Sequence, residues 1–152
     1  MAIFKGKAIL AYTAGIIDAD GCISIDKQRH SGNKKREYAL RLSVQVGNTK
    51  EWLPFWLKMQ YGGSVCQHNS SKPEAKDYWN WNISSHKAVE FLKLILPYLQ
   101  LKRPQAELGI LFQKPRNPRR GRLLTDEQAA IEEVQLLLMR QMNQRGRMKE
   151  HA

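Results

Sequence analysis

The chain has 152 residues, 42% of them hydrophobic, and a formal net charge of +11 at pH 7. That length suffices to bury a core within one domain. No apolar run approaches the ~18 residues of a membrane span, and no signal-peptide pattern opens the chain, so an intracellular protein is expected, in a prokaryotic cytoplasm or an organelle. The charge points to a polyanion, nucleic acid before membrane, because no basic amphipathic helix with an exposed aromatic face is evident. Cys22 and Cys66 lie far apart with no CxxC or His pair nearby, which argues against a zinc site and leaves free thiols as the default, with a disulfide as the alternative.

Residues 1–7 read as a short basic leader. An apolar helix follows over about residues 7–19, in which Ala11, Gly15 and Ala19 recur four apart with Ala14 beside them. A face that small lets a second helix approach backbone to backbone. The helix ends in Asp18, Asp20 and Gly21, and the glycine is expected to take the positive φ that stops it. Carboxylates at a helix C-terminus meet its partial negative charge, a local cost that a divalent cation would offset.

Residues 22–30 then alternate, with Ile23 and Ile25 on one side and Ser24, Asp26, Gln28 and His30 on the other. A turn carrying Lys34, Lys35 and Arg36 leads to a strand over about residues 37–47. Its core side is Tyr38, Leu40, Leu42, Val44 and Val46; Arg41, Ser43 and Gln45 lie opposite. Asn48 or Thr49 is expected to cap a helix running to about Tyr61, with Trp52, Phe55, Trp56 and Met59 as its core stripe. Gly62-Gly63 ends it. In the second hairpin Val65 and Gln67 are expected to face inward and Ser64, Cys66 and His68 outward. On the return strand Trp79, Trp81 and Ile83 alternate with Tyr78, Asn80 and Asn82.

Ser84 or Ser85 is expected to cap a third helix whose apolar stripe is Ala88, Val89, Leu92, Ile95 and Leu96, with Pro97 marking its end. Pro104 begins another helix, to about Phe112. A basic Pro/Gly loop over residues 114–122 carries Lys114, Arg116, Arg119 and Arg120. Thr125 opens a last helix over about residues 125–142, before a basic tail at 143–152. The order is αββαββα with helices appended, an α+β arrangement suited to a four-stranded antiparallel sheet with helices on one face.

Thr13 to Gly21, TAGIIDADG, resembles the LAGLIDADG motif of homing endonucleases, with Thr13 for the usual Leu and Ile16 for the second Leu. The resemblance covers about residues 7–113 of a single 152-residue domain and implies a saddle-shaped sheet whose concave face lies on DNA. It implies a metal-dependent, site-specific endonuclease, using Mg2+ or Mn2+, that makes a double-strand break with short 3′ overhangs, usually for an intron or intein. By this resemblance Asp20 is the catalytic metal ligand, joined by the carbonyl of Ala19. Asn48 orients solvent, and Lys102 stands near the scissile phosphate. Trp52 stands where the family often has a basic residue, and Lys50 is its nearest substitute.

Cutting a duplex needs two carboxylate sites, and one chain offers one, so a homodimer is expected through Ala11, Ala14, Gly15 and Asp18, on a pseudo-palindromic target. Asp18 is also read as helix-end support. Sequence reading falls to the polar sheet face: Arg41 toward guanine, Gln28, Gln45, Asn80 and Asn82 toward adenine, and Asp26 toward cytosine. Ser24, His30, Ser43, Ser64, Cys66, His68 and Tyr78 share that face. Lys34, Lys35, Arg36, Lys114, Arg116 and Arg119 are assigned to phosphates. An RNA-binding intron maturase on the same scaffold and a non-cleaving DNA-binding regulator are the alternatives.

Overall fold

The computed structural model describes residues 6–29, 38–113 and 125–144. Helix α1 (Lys7–Asp20) leads into a hairpin of β1 (Gly21–Arg29) and β2 (Tyr38–Asn48). Helix α2 (Trp52–Tyr61) leads into a second hairpin, β3 (Ser64–His68) and β4 (Tyr78–Ser84). Then come α3 (Ser85–Ile95), a 3-10 turn over Leu96–Tyr98, α4 (Arg103–Gln113) and α5 (Asp126–Met142).

The strands form a four-stranded antiparallel sheet in the order β1-β2-β4-β3, so the two hairpins meet along β2 and β4. Period-two alternation gives the sheet one apolar face. Ile23 lies across from Val44, Ile25 from Leu42, Val44 from Ile83 and Val46 from Trp81, all buried. The helices cover that face with Ala14 and Ile17 of α1, Leu57 of α2, Phe91, Leu92 and Ile95 of α3, Phe112 of α4, and Leu136 and Met139 of α5. Trp81 is fully enclosed and its Nε1 donates to the Gly62 carbonyl at 2.8 Å, so its one polar atom is satisfied. Phe91, absent from the expected α3 stripe, sits edge-on to both Trp81 and Tyr61 with ring centroids 5.2 and 4.8 Å apart.

Local chemistry explains most of the boundaries. Gly62 and Gly63 take φ of 81° and 86° and end α2, as their sequence implies. Thr125 and Gln128 form a reciprocal capping box that starts α5. At the other end of α5, Asn143 Nδ2 donates to the Ile23 carbonyl at 2.7 Å and occupies an acceptor on the outer edge of β1.

Three expectations are corrected. Helix α2 begins at Trp52 with Glu51, not Asn48 or Thr49, at its N-cap, because Asn48 closes a local turn instead. Its buried side is Pro54 and Leu57, flanked by Leu53 and Trp56, while Trp52, Phe55 and Met59 are exposed. Ser84 occupies the N-cap position of α3 but makes no side-chain cap bond.

Candidate functional site

The acids and the lysine singled out in the sequence meet where α1 passes into β1. Gly21 leaves the helix with φ −79° and ψ 158°, an extended conformation, and not with the expected positive φ. Glycine is needed for space: a Cβ there would stand 2.7 Å from Ile17 Cα and 2.9 Å from its carbonyl oxygen. The strand therefore starts directly on the last turn of the helix, and the Gly21 N–H is donated to the carbonyls of Ile16 and Ile17.

Asp18 and Asp20 take opposite roles. The Asp18 carboxylate turns toward the segment that follows Leu99 and accepts the backbone N–H groups of Gln100 at 2.8 Å, Leu101 at 3.1 Å and Lys102 at 2.9 Å. It thus organises the connector that leads into α4. The Asp18 carboxylate is thus occupied by the connector, in keeping with its reading as helix-end support. Asp20 is exposed and makes no hydrogen bond or ion pair among the described residues.

Lys102 comes to the same point from the connector. Its Nζ donates to the Ile17 carbonyl at 2.9 Å and, by a short bond, to the Gly21 carbonyl. A cation on the final carbonyls of α1 offsets the negative end of the helix. It also places positive charge one residue from Asp20. Asn48 ends β2, two residues beyond Val46, the register partner of Gly21. Its Oδ1 accepts the Lys50 N–H at 2.8 Å.

The carboxylate of Asp20 and the carbonyl of Ala19, in the turn whose carbonyls a helix cannot satisfy internally, are hard oxygen donors that suit Mg2+, Mn2+ or Ca2+. Among the described residues no group of three His, Cys, Asp or Glu side chains could hold a metal. The Asp20 and Ala19 oxygens alone make a partial donor set.

The two sides of α1 separate more sharply than the spacing predicts. Thr13, Ala14 and Ile17 are buried, so Ala14 belongs to the core and not to the outer face where it was expected. Ala8, Ala11, Tyr12, Gly15 and Ala19 are exposed, and a Cβ built on Gly15 would meet nothing within 4 Å. Thr13 Oγ1 donates to the Ile9 carbonyl at 2.8 Å and lies 2.6 Å from the Tyr61 hydroxyl. This pairing accounts for a polar residue at the first position of the motif. Burial, partly offset by Thr13, raises the Tyr61 pKa, so its phenol stays protonated at neutral pH.

Beside the exposed side of α1 lies an aromatic surface missed in the sequence. Tyr12 meets Trp56 edge-on at 5.4 Å, and Trp52, 60% exposed, stacks on Trp56 at 5.8 Å. Leu53, Trp56, Leu57 and Tyr61 have helical spacing too and form the inward side of α2, which leaves Trp52, Phe55 and Met59 on the surface.

The sheet face away from the helices carries Ser24, Asp26, Gln28, Arg41, Gln45, Ser64, Cys66, His68, Tyr78, Asn80 and Asn82, each at least partly exposed. The register sets Asp26 across from Arg41, Cys22 across from Gln45, and Gln45 across from Asn82, which neighbours Ser64. Cys66 faces Asn80, and His68 faces Tyr78, whose ring it stacks on at 4.7 Å. Ser24 Oγ donates to Asp26 Oδ1 at 2.8 Å, and Arg41 Nε is buried without a hydrogen-bond partner among the described residues. Ser43 is 0% exposed and so cannot present its hydroxyl as an outer-face reader. Gln67 is exposed rather than inward-facing. His30, Lys34, Lys35, Arg36, Lys114, Arg116 and Arg119 lie outside the described residues.

No family model matches the chain. A curated relative, the DNA endonuclease I-CvuI of Chlorella vulgaris, is 28% identical over 137 residues, which span 88% of this chain and 82% of the relative. The crystal structure of I-CvuI with its target in 2 mM calcium superposes with a TM-score of 0.75 at 21% identity, over 93% of this chain and 86% of that one. The archaeal intron-encoded homing endonuclease I-Vdi141I, complexed with DNA, gives a TM-score of 0.73 at 14% identity, over 95% and 90%. The LAGLIDADG homing endonuclease I-GzeII, with its DNA target, gives 0.56 at 18% identity, over 86% of this chain and 43% of that one.

Proposed function

We propose that this chain is a LAGLIDADG homing endonuclease, a site-specific enzyme that cuts both strands of a duplex as a homodimer. The observation that carries the reading is Asp20: an exposed, uncommitted carboxylate at the end of a helix whose adjacent side is lined by small residues and open.

Two copies apposed along Ala11, Gly15 and Ala19 bring two Asp20 carboxylates to one two-fold axis. The aromatic surface of Tyr12, Trp52 and Phe55 flanks that contact. Asp20 and the Ala19 carbonyl would hold divalent metal, Mg2+ or Mn2+. Such a cation, when bound, activates water and neutralises charge on the scissile phosphate. Lys102 braces the carbonyls around Asp20 and adds a positive charge beside the phosphate. The Asn48 amide nitrogen orients solvent at the end of β2. The polar sheet face lies along the major groove, where Arg41, Gln45, Asn80 and Asn82 contact base edges. A two-fold protein on DNA implies a pseudo-palindromic target.

The test starts from a pool of randomised duplexes, enriched on the purified protein in calcium. Enriched duplexes are then incubated with magnesium, with calcium and with EDTA. Cleavage of both strands in magnesium, leaving short 3′ overhangs, is the expected result. Enrichment of one duplex sequence without cutting in magnesium would overturn the endonuclease and leave a binding protein; a parallel enrichment from randomised RNA that selects a structured RNA, with no duplex enriched, would move the reading to a maturase.

A further inference from the structure

Ser43 is the buried member of the polar sheet face, and three carboxamides converge through it. Gln45 Nε2 and Asn82 Nδ2 each donate to Ser43 Oγ at 3.2 Å. Asn80 Nδ2 donates to Gln45 Oε1, also at 3.2 Å. The chain Asn82–Ser43–Gln45–Asn80 crosses the two central strands, where the hairpins meet. It lies near the metal-binding end of the sheet, since Gln45 precedes Val46, the partner of Gly21.

These bonds decide which way each carboxamide faces. A primary amide has two N–H donors and a carbonyl with two lone pairs, and a flip exchanges the two ends. Gln45 gives one N–H to Ser43 and accepts one bond from Asn80, so one N–H and one lone pair remain for DNA. That remainder is what a bidentate contact with the N7 and N6 edge of adenine requires. Asn82 is held by one N–H, as is Asn80, and each keeps its carbonyl oxygen for a base or a water.

We propose that Ser43 is the positioning residue of a coupled reading unit: from beneath the face it orients Gln45 and Asn82, and through Gln45 it orients Asn80, so that adjacent base pairs near the cut are read together. Ser43 itself touches no base. The inference rests on the reading of the chain as a sequence-specific DNA endonuclease, and it predicts that specificity at these positions is non-additive.

The experiment uses the full chain and the duplex enriched on the wild-type protein, with every base pair of the half-site varied in turn. Cleavage preference, binding in calcium and thermal stability are read together. Ser43→Ala and Ser43→Cys, which remove a good acceptor at similar volume, should each lower preference by about fivefold or more, at the same base pairs that Gln45→Ala and Asn82→Ala affect. Ser43→Thr should restore it. In the Ser43→Ala background, Gln45→Ala should cost markedly less preference than in the wild type. Wild-type preference in folded Ser43→Ala or Ser43→Cys, while Gln45→Ala loses it, would overturn the coupled unit and leave the endonuclease intact. Additive losses would do the same. If the wild-type protein neither binds nor cuts any duplex, the reading of the chain as an endonuclease fails, and the coupled unit with it.

Discussion

Asp18 and Asp20 lie two residues apart at the end of one helix, yet their surroundings separate them completely. Asp18 accepts three backbone N–H groups from the connector before α4, whereas Asp20 faces outward with no partner among the described residues. On the proposed metal site, Asp20→Asn is therefore expected to remove cleavage and leave binding in calcium within about twofold, because it deletes a charge that no other described residue uses. Single-turnover cleavage beside a filter-binding titration checks this, and retained cutting would remove Asp20 from the metal site. Asp18→Asn should act on stability instead. Losing a charge-assisted acceptor costs about 1–2 kcal/mol, or roughly 2–8 °C in Tm for a chain of this size. Calorimetry with and without cleavage at a permissive temperature distinguishes the two acids.

The motif helix shows how one element serves two environments. Its inner side is fixed by the core through Ala14 and Ile17 and by the Thr13–Tyr61 hydrogen bond; its outer side has a glycine with open space around it. Gly15→Leu should therefore leave the isolated fold intact, and by helix propensity stabilise it by up to about 1 kcal/mol. The bulky side chain would still prevent close approach of a second copy. Sedimentation of the variant as a folded monomer, with no double-strand cleavage, is the expected outcome; a cleaving dimer would exclude this side as the interface. The small-residue spacing was legible in the sequence, but the assignment of Ala14 to the outer side was not correct. Ala14 lies about 100° round the helix from Gly15, and the packing of α1 on the sheet and on α3 decides which of the two is covered.

At the scale of the whole molecule, a net charge of +11 makes association with DNA a salt-dependent event. For 6–10 phosphate contacts the affinity should fall on the order of 10³–10⁵-fold between 50 and 200 mM salt. A log–log titration with an enriched duplex and with unrelated DNA measures it. Similar slopes with a large offset between the two would assign phosphate contacts to the charge and discrimination to the sheet. A flat titration would contradict the assignment of the basic residues to phosphates.

The sequence by itself determined the order of helices and hairpins, the apolar side of each strand of the central pair and the end of α2. Those features follow from period-two alternation, helical spacing and glycine chemistry, all of which act between residues a few positions apart. The motif TAGIIDADG carried the fold for the same reason: its small residues, acids and glycine are local requirements of one helix end. Only the tertiary structure decided that Gly21 is needed for clearance from Ile17, that Asp18 belongs to the connector and that Lys102 binds the end of α1. Burial of Ser43 and exposure of Trp52 and Phe55 were settled there too. Each depends on a neighbour distant in the chain, or on which side of an element the packing happens to cover.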